Sequence, residues 1–422
     1  MEYKKYDYDD YTVHLMKTDK FKSIYISLVL INEFKKESLT KNFVLRKLLT
    51  TSSKKLLNEV EVTRKVCDLY NSGIVISNTM SNNVITTNFD MEVLEDKYTE
   101  KGLLKNALEY FFDTIFYPNI IDGEFEESNY NLVLKSVNNY YDKIKENKNR
   151  YAYDRAFSLM DEEYLKYSEN GDKEDLKNIT RKSMVDYYNE LLENANANIF
   201  VIGSFDEEEL LDLINKNIKD KLHKNDNIYV DGSFTNNTKL EEKEETENNN
   251  QSILIMIYKV LNMTLRERNV ILPVFNRILG VGNNSKLFKN VREKNSLCYD
   301  IRSSSLRNES IVTVQSGISY KDKDEVIDLI KKELNDIQNG NVSDEEFEEA
   351  IKFRNKSLKQ FEDYNDSILY IKQGNVLYNG DDLEERKEML KTVKKEEIVE
   401  LSKKLDLSVI YMLKGDNENG QD

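Results

Sequence analysis

The chain has 422 residues and a formal net charge of −16, from 61 Lys and Arg against 77 Asp and Glu; its length suits two or three domains. That charge argues against binding nucleic acid or an anionic membrane through a basic surface, and no apolar run reaches the ~18–20 residues of a membrane span. The opening stretch MEYKKYDYDDYTVHL places acids where a signal peptide needs an apolar run. Two cysteines, Cys67 and Cys298, are too few for a disulfide framework, so the expected location is cytoplasmic.

In chain order, His14 stands between Val13 and Leu15 at the start of an expected strand, and SIYISLVLI (Ser23 to Ile31) is a β-branched strand. A helix is expected over Thr40 to Lys55. In a second helix Cys67 shares helical spacing with Val60, Thr63 and Tyr70, which predicts a buried small apolar residue. Two paired strands, SGIVISNTM and NNVITTNFDME, precede an amphipathic helix with Leu104, Leu108, Phe111 and Ile115 at steps of 4, 3 and 4. GEFEES (Gly123 to Ser128) opens a charged helix, and NIFVIGSFD (Asn198 to Asp206) reads as a buried strand.

The same succession then recurs. SILIMIYKV (Ser252 to Val260) is the strand, SLCYDIRSSS and ESIVTVQSGIS the pair, and Val326, Ile330, Leu334 and Ile337 the apolar stripe. DEEFEEA (Asp344 to Ala350) is the charged helix, with Ser343 and Glu346 at capping-box spacing, and SVIYMLKGD (Ser408 to Asp416) is the closing strand. Pairing Ser23 with Ser252, Phe125 with Phe347 and Gly203 with Gly415 gives offsets of 229, 222 and 212 residues. The expected fold class is α+β: two homologous domains, residues 1–223 and 252–422, each a mainly antiparallel sheet packed with helices. Residues 224–251 are too rich in Lys, Asn and Glu to bury a core and are expected as a linker. Within it EEKEETE (Glu241 to Glu247) is either a solvated tether or an acidic docking patch.

Two histidines, His14 and His223, stand 209 positions apart, and no HxxEH, HxxxH or CxxC spacing occurs. Zinc hydrolases need their imidazole or thiolate ligands close together, so each histidine is expected to be structural or exposed. No phosphate-binding glycine motif is present.

The most specific stretch is LPVFNRILGVGNNSKLFKNVREKNSLCYDIRSSS, Leu272 to Ser305. A helix enters a loop containing Gly280, Gly282, Asn283 and Asn284. A short helix follows, with Ser285, Leu287, Phe288, Arg292, Glu293 and Lys294, and then a strand with Tyr299 near its start. This pattern resembles the C-terminal half of the insulinase, pitrilysin and mitochondrial-processing-peptidase family. A weaker likeness reaches into the first half, where FFDTIFYPNIIDGEFEE (Phe111 to Glu127) is similar to the family's D-x-x-x-x-P motif and the acidic helix after it.

The resemblance implies a duplicated metallopeptidase-like fold, and its departures are informative. Active members carry HxxEH on an early helix, with a further glutamate about 75 residues on; two histidines and that glutamate hold zinc, and the glutamate inside the motif activates water. The matching region here, Asn42 to Lys47, has no histidine and no acid. The downstream position, placed at Ser136 within Asn131 to Asn139, has no carboxylate. No zinc is therefore expected in this chain. Many members work as two-chain enzymes, and the resemblance implies the non-catalytic, peptide-binding subunit of such a zinc endopeptidase, zinc being held by a paralogous partner carrying HxxEH. Arg292 and Tyr299 match the pair that reaches the substrate near the scissile bond: Arg as a fork of donors for a peptide carbonyl, Tyr as a hydroxyl toward the developing oxyanion. The alternative is Arg292 paired with Glu293 and Tyr299 packed. The loop of Gly280, Gly282 and Asn283 is either a tight turn or a loop that samples the substrate chamber. A scaffold or peptide-binding protein with no role in proteolysis is the competing function.

Overall fold

The computed structural model describes residues 1–222 and 234–416; His223 and residues 224–233 of the expected linker lie outside the described residues. The chain forms two compact units, and they do not follow the halves of the sequence. The first comprises Met1–Lys143, Ser168–Val230 and Tyr364–Gln373; the second comprises Ile144–Tyr167, Asp231–Asp363 and Gly374–Asp422.

In chain order the first half contains strands β1 (Glu2–Asp7), β2 (Thr12–Lys17) and β3 (Ser23–Glu33), then helices α1 (Lys36–Thr51) and α2 (Glu59–Asp68). Strands β4 (Ile74–Ser81) and β5 (Val84–Leu94) form the expected pair. Helix α3 (Leu103–Phe116), the short hairpin β6 (Ile120–Ile121) and β7 (Glu124–Phe125), and helix α4 (Glu127–Ile144) follow. Then come α5 (Lys148–Phe157), α6 (Glu163–Lys166), α7 (Arg181–Glu193), β8 (Asn196–Gly203) and α8 (Glu207–Ile218). The second half runs β9 (Glu241–Glu247), β10 (Ser252–Val260), α9 (Leu272–Leu279), β11 (Cys298–Leu306) and β12 (Ile311–Ile318). It closes with α10 (Lys323–Gln338), α11 (Asp344–Phe361), α12 (Asn365–Tyr378), α13 (Leu383–Leu390), α14 (Lys395–Lys403) and β13 (Leu405–Gly415). Among the described residues no helix is long and apolar enough to cross a membrane.

The duplication is visible in the sheets. The first has order β1-β2-β8-β3-β5-β4 and the second β11-β12-β10-β13-β9. Without β1, and read from the opposite edge, the first becomes β4-β5-β3-β8-β2, the same succession. In each sheet one pairing, β2 with β8 or β9 with β13, is parallel and the rest are antiparallel. The fold is therefore the expected α+β duplication, with one difference at EEKEETE. That run, expected to be linker, is β9, the counterpart of β2. Its side chains alternate with period two. Glu245 and Glu247 meet Arg155 and Lys148 of α5, whereas Glu244 meets Lys323 and Tyr320. An edge strand this charged satisfies its own backbone on one side and repels further strand addition on the other.

The two sheets are covered differently. On β3, Ile24, Ile26, Leu28 and Leu30 face a core built with Leu48 of α1, Phe111 and Ile115 of α3, Met184 of α7 and Ile214 of α8. The opposite face of this sheet is mixed: polar His14, Ser27, Asp90 and Asn198 are buried there beside apolar Val29, Phe200 and Ile202. The first turns of α12 lie on it: Asn365 donates to Ser23 Oγ at 3.1 Å, Gln373 to Ser27 Oγ at 2.9 Å and Tyr370 to Asp90 at 3.2 Å. On β10 both faces are apolar. Leu254, Met256 and Tyr258 pack with Phe275, Ile330 and Ile398, while Ile253, Ile255 and Ile257 pack with Ala152, Ala156 and Phe157 of α5. Burial on two sides is why SILIMIYKV reads as an unbroken apolar run.

One expected core residue is corrected. Cys67 is exposed, as are Val60 (59%) and Tyr70 (51%). The inward face of α2 carries Val66 and the following Leu69, so the stripe of residues 60, 63, 67 and 70 is turned by about one residue from the buried one. Cys298 is half-buried at the start of β11.

Candidate functional site

The candidate site begins where α9 ends. Gly280 accepts a hydrogen bond from Ser303 N on β11 at 3.1 Å, and a Cβ there would stand 2.6 Å from that nitrogen. Only glycine allows this approach of helix end to strand. Gly282 has φ +80°, the left-handed region that favours glycine, and its carbonyl accepts from Ser285 Oγ at 2.7 Å. Arg277 donates to the Val281 carbonyl and, through its other terminal nitrogen, to Glu349 Oε1 at 2.5 Å. The loop is pinned from both sides, and Asn283 and Asn284 point outward, exposed. Buried Ser285 then accepts from Phe288 N at 3.4 Å and starts the next helical segment.

That segment, Phe288–Lys294, is a wide π-helical stretch, a geometry that concentrates at functional sites. Arg292 is exposed, and its guanidinium lies 4.7 Å from the centroid of the Phe288 ring one turn back. Its partner on the helix is this aromatic face rather than Glu293. The Arg292 charge also reaches the Cys298 thiol, where burial, the larger effect, pushes the thiol pKa up and Arg292 opposes it.

Tyr299 is not packed: it is 76% exposed. The register explains why. Cys298 pairs with Ile318 and Asp300 with Gly317, so Tyr299 is an extra residue inserted in β11, a β-bulge. Bulges re-aim a side chain and recur beside active sites. The two candidate residues thus sit on the two backbone irregularities of one continuous segment. Neither the bulge nor the π stretch has a signal in the sequence, because both depend on the register of β12 and on packing beneath the helix.

The region of the absent metal motif lies on α1. Asn42 is fully buried and donates to Thr87 Oγ1 at 2.8 Å and to the Tyr187 hydroxyl at 3.2 Å. One turn on, Arg46 donates to Asn170 Oδ1 at 2.6 Å; Asn170 in turn donates to the Tyr140 hydroxyl at 2.8 Å. Burial pushes the Arg46 pKa down. Leu45 is buried and apolar. From α4, Tyr140 and Tyr141 pack on Phe43 at centroid distances of 4.8 and 5.9 Å, whereas Ser136 is exposed. The α4 residues facing α1 are therefore tyrosines, one turn beyond the expected position. The residues do not fit zinc: an amide, a methyl-bearing side chain and a fixed cation offer no set of imidazole or carboxylate donors. Among the described residues no group of three or more His, Cys, Asp or Glu could hold a metal ion. His14 is also far from metal chemistry. It is fully buried on β2, accepts from the Tyr3 hydroxyl at 2.9 Å, donates toward Asn198 Oδ1 at 3.2 Å, and stacks on Phe200 at 4.4 Å.

Known proteins resemble this chain over nearly all of its length. The family model described as "Peptidase M16 inactive domain" matches residues 178–353, which includes the loop, the π stretch and β11. A curated relative, "Probable inactive metalloprotease YmfF" of Bacillus subtilis, is 23% identical over 414 residues, covering 96% of each chain. A conserved protein from Enterococcus faecalis, known by its crystal structure, superposes with a TM-score of 0.89 at 27% identity, covering 97% of each chain. The peptidase M16 inactive domain from Pseudomonas fluorescens gives 0.80 at 12% identity over 98% of each, a likeness of fold.

Proposed function

We propose that the chain, which is similar to the peptidase M16 inactive domain over residues 178–353 and to a probable inactive metalloprotease along nearly its whole length, is the non-catalytic, peptide-binding subunit of a two-chain zinc endopeptidase. It completes the substrate chamber of a paralogue that carries HxxEH and the zinc. The observation that carries this reading is the exposed Arg292 and Tyr299 pair on a π stretch and a β-bulge, kept although Asn42 and Arg46 have replaced metal chemistry. A chain kept only as scaffold has no use for a bulged, 76% exposed tyrosine beside an exposed arginine.

In this reading Arg292 supplies a planar fork of donors to a peptide carbonyl. The Tyr299 hydroxyl donates to the oxygen that gains charge as the partner's zinc-activated water attacks. The loop of Gly280, Gly282 and Asn283 borders the peptide. The partner is a second protein chain, the substrate is a peptide or unfolded polypeptide, and the assembly works in the cytoplasm.

The test is to purify the chain natively with its paralogue, confirm one zinc per pair, and then assay Arg292→Ala and Tyr299→Phe complexes. Assembly and zinc content are expected to stay unchanged while kcat/KM for peptide cleavage falls about 100–1,000-fold, the range for loss of an oxyanion-stabilising hydrogen bond. If both variants cleave at the original rate, the pair has no role in the chamber and the scaffold reading takes over.

A further inference from the structure

Helix α10 lays an apolar stripe on the core of the second unit, and one buried position breaks it. Among the described residues of α10, Val326, Ile327, Ile330, Leu334 and Ile337 are buried together with Glu333, which is 4% exposed. A carboxylate taken out of water needs hydrogen-bond partners. Glu333 Oε2 accepts from Asn290 Nδ2 at 2.7 Å. Asn290 belongs to the π-helical stretch Phe288–Lys294, the segment that carries Arg292. Burial, the largest influence, pushes the Glu333 pKa up, and the bond from Asn290 and the charge of Lys286 oppose it.

The stretch is fastened before, within and after its wide turn. Before it, buried Lys286 pairs with Glu346 Oε1 of α11 at 3.2 Å. Within it, Asn290 meets Glu333. After it, Asn295 Nδ2 donates back to the Asn290 carbonyl at 2.6 Å, and Ser296 turns the chain with φ +56°. Asn290 is thus held through both its side chain and its carbonyl. Residues two apart on a helix do not share a face, so an inward Asn290 leaves Arg292 outward, where it is exposed. Leu287 and Val291 are buried beneath the segment, but apolar packing is non-directional and does not by itself select a wide turn over an α turn. The Asn290–Glu333 bond is directional and does. For stability alone an apolar side chain would serve at position 333, since exchanging a buried charge for apolar packing is often neutral or favourable.

We infer that Glu333 is a positioning residue for Arg292: it holds Asn290 and through it the π register, so that the guanidinium stands where a peptide carbonyl is bound. The inference rests on the peptide-binding reading of Arg292. Glu333 itself is buried and touches no substrate; it acts through the segment above it.

The experiment compares Glu333→Leu with Glu333→Gln, which still offers Asn290 an acceptor, in two measurements. Hydrogen exchange of the full chain reads the register. In Glu333→Leu the amides of Phe288–Lys294 are expected to exchange at least about tenfold faster, the worth of one hydrogen bond to a charged group, while β10 and β13 keep their protection. Glu333→Gln is expected to recover most of it. Cleavage by the two-chain complex reads the function. In Glu333→Leu kcat/KM is expected to fall about 10–100-fold, the scale for a positioned group displaced by about 1 Å. Glu333→Gln is expected to return to within about threefold of the original rate, since a neutral acceptor keeps much of the bond. In an Arg292→Ala background, Glu333→Leu is expected to cost less than about twofold more, because both changes remove the same contact. Unchanged exchange in Glu333→Leu, equal losses in the Leu and Gln variants, or a full further loss on top of Arg292→Ala each overturn the inference. The two readings fail separately. If Arg292→Ala slows cleavage and Glu333→Leu does not, only the positioning role falls; if Arg292→Ala cleaves at the original rate, the peptide-binding reading falls and takes that role with it.

Discussion

Replacing Glu162 with alanine is expected to destabilise the protein by about 3 kcal/mol, the cost of leaving a buried charge without its partner. Lys259 sits near the end of β10 on the face that packs Ile253, Ile255 and Ile257, and it is 1% exposed. Its ammonium reaches Glu162 Oε1 at 2.5 Å, just before α6, and lies 4.8 Å from the Phe234 ring centroid. Without Glu162 the ammonium retains, among the described residues, that aromatic face, which offsets a small part of the desolvation. The pair as a whole is a different matter. Replacing both members, Lys259→Met with Glu162→Leu, removes the buried charge together with its counter-ion and is expected to leave stability within about 1 kcal/mol of the original. Denaturant midpoints at constant m-value measure both. A loss below about 1 kcal/mol in Glu162→Ala would mean that Lys259 finds water or another acceptor, and the burial argument would be wrong.

This ion pair also shows where sequence reading stops. The strands of the duplication were legible because each carries a β-branched or alternating pattern set by its own burial. β10 was recognised with its bounds, and Ser343 with Glu346 formed the capping box their spacing predicts. β9 was not, because an edge strand takes its identity from its neighbours: seven residues of Glu, Lys and Thr become a strand once Arg155, Lys148 and Lys323 stand on either side. The placement of α5 and α6 in the second unit, and of the first turns of α12 in the first, is likewise set by long-range packing. On α2 the period was correct and the phase was not, since the exposed stripe through Cys67 is as apolar as the buried one through Val66. For the candidate site, Arg292 and Tyr299 could be named from their motif, yet what aims Tyr299 outward is a single-residue slip against β12. Such a slip depends on how Ile318 and Gly317 pair across the sheet, and no local spacing encodes it.

The face of the first sheet that α12 covers gives the second large effect, and it concerns pH. His14 is buried and neutral, and burial, the main cause, lowers its pKa from 6.5 to about 4. Asp90 is buried on the same sheet, where burial, again first among the causes, raises its pKa from 3.8 to about 6 against hydrogen bonds from Ser27 and Tyr370. The signs are opposite. As pH falls below 6.5 the unfolded chain takes up a proton at His14 that the folded chain refuses until about pH 4, so acid removes stability, in total about 3 kcal/mol. Between about pH 6 and 3.8 the folded chain holds a proton on Asp90 that the unfolded chain has released, so acid adds stability of similar size, about 3 kcal/mol. The two contributions nearly cancel in the unmodified protein and emerge on substitution. In His14→Gln the acid-labile part is gone, so stability relative to the unmodified chain is expected to improve by about 3 kcal/mol between pH 7 and pH 4, whatever the variant loses at neutral pH. In Asp90→Asn the relative stability is expected to move the other way over the same range, the variant being better tolerated at pH 7 than at pH 4. Denaturant unfolding of the three proteins across this range decides the matter: differences that do not change with pH would mean that neither group titrates in the folded sheet as its burial requires.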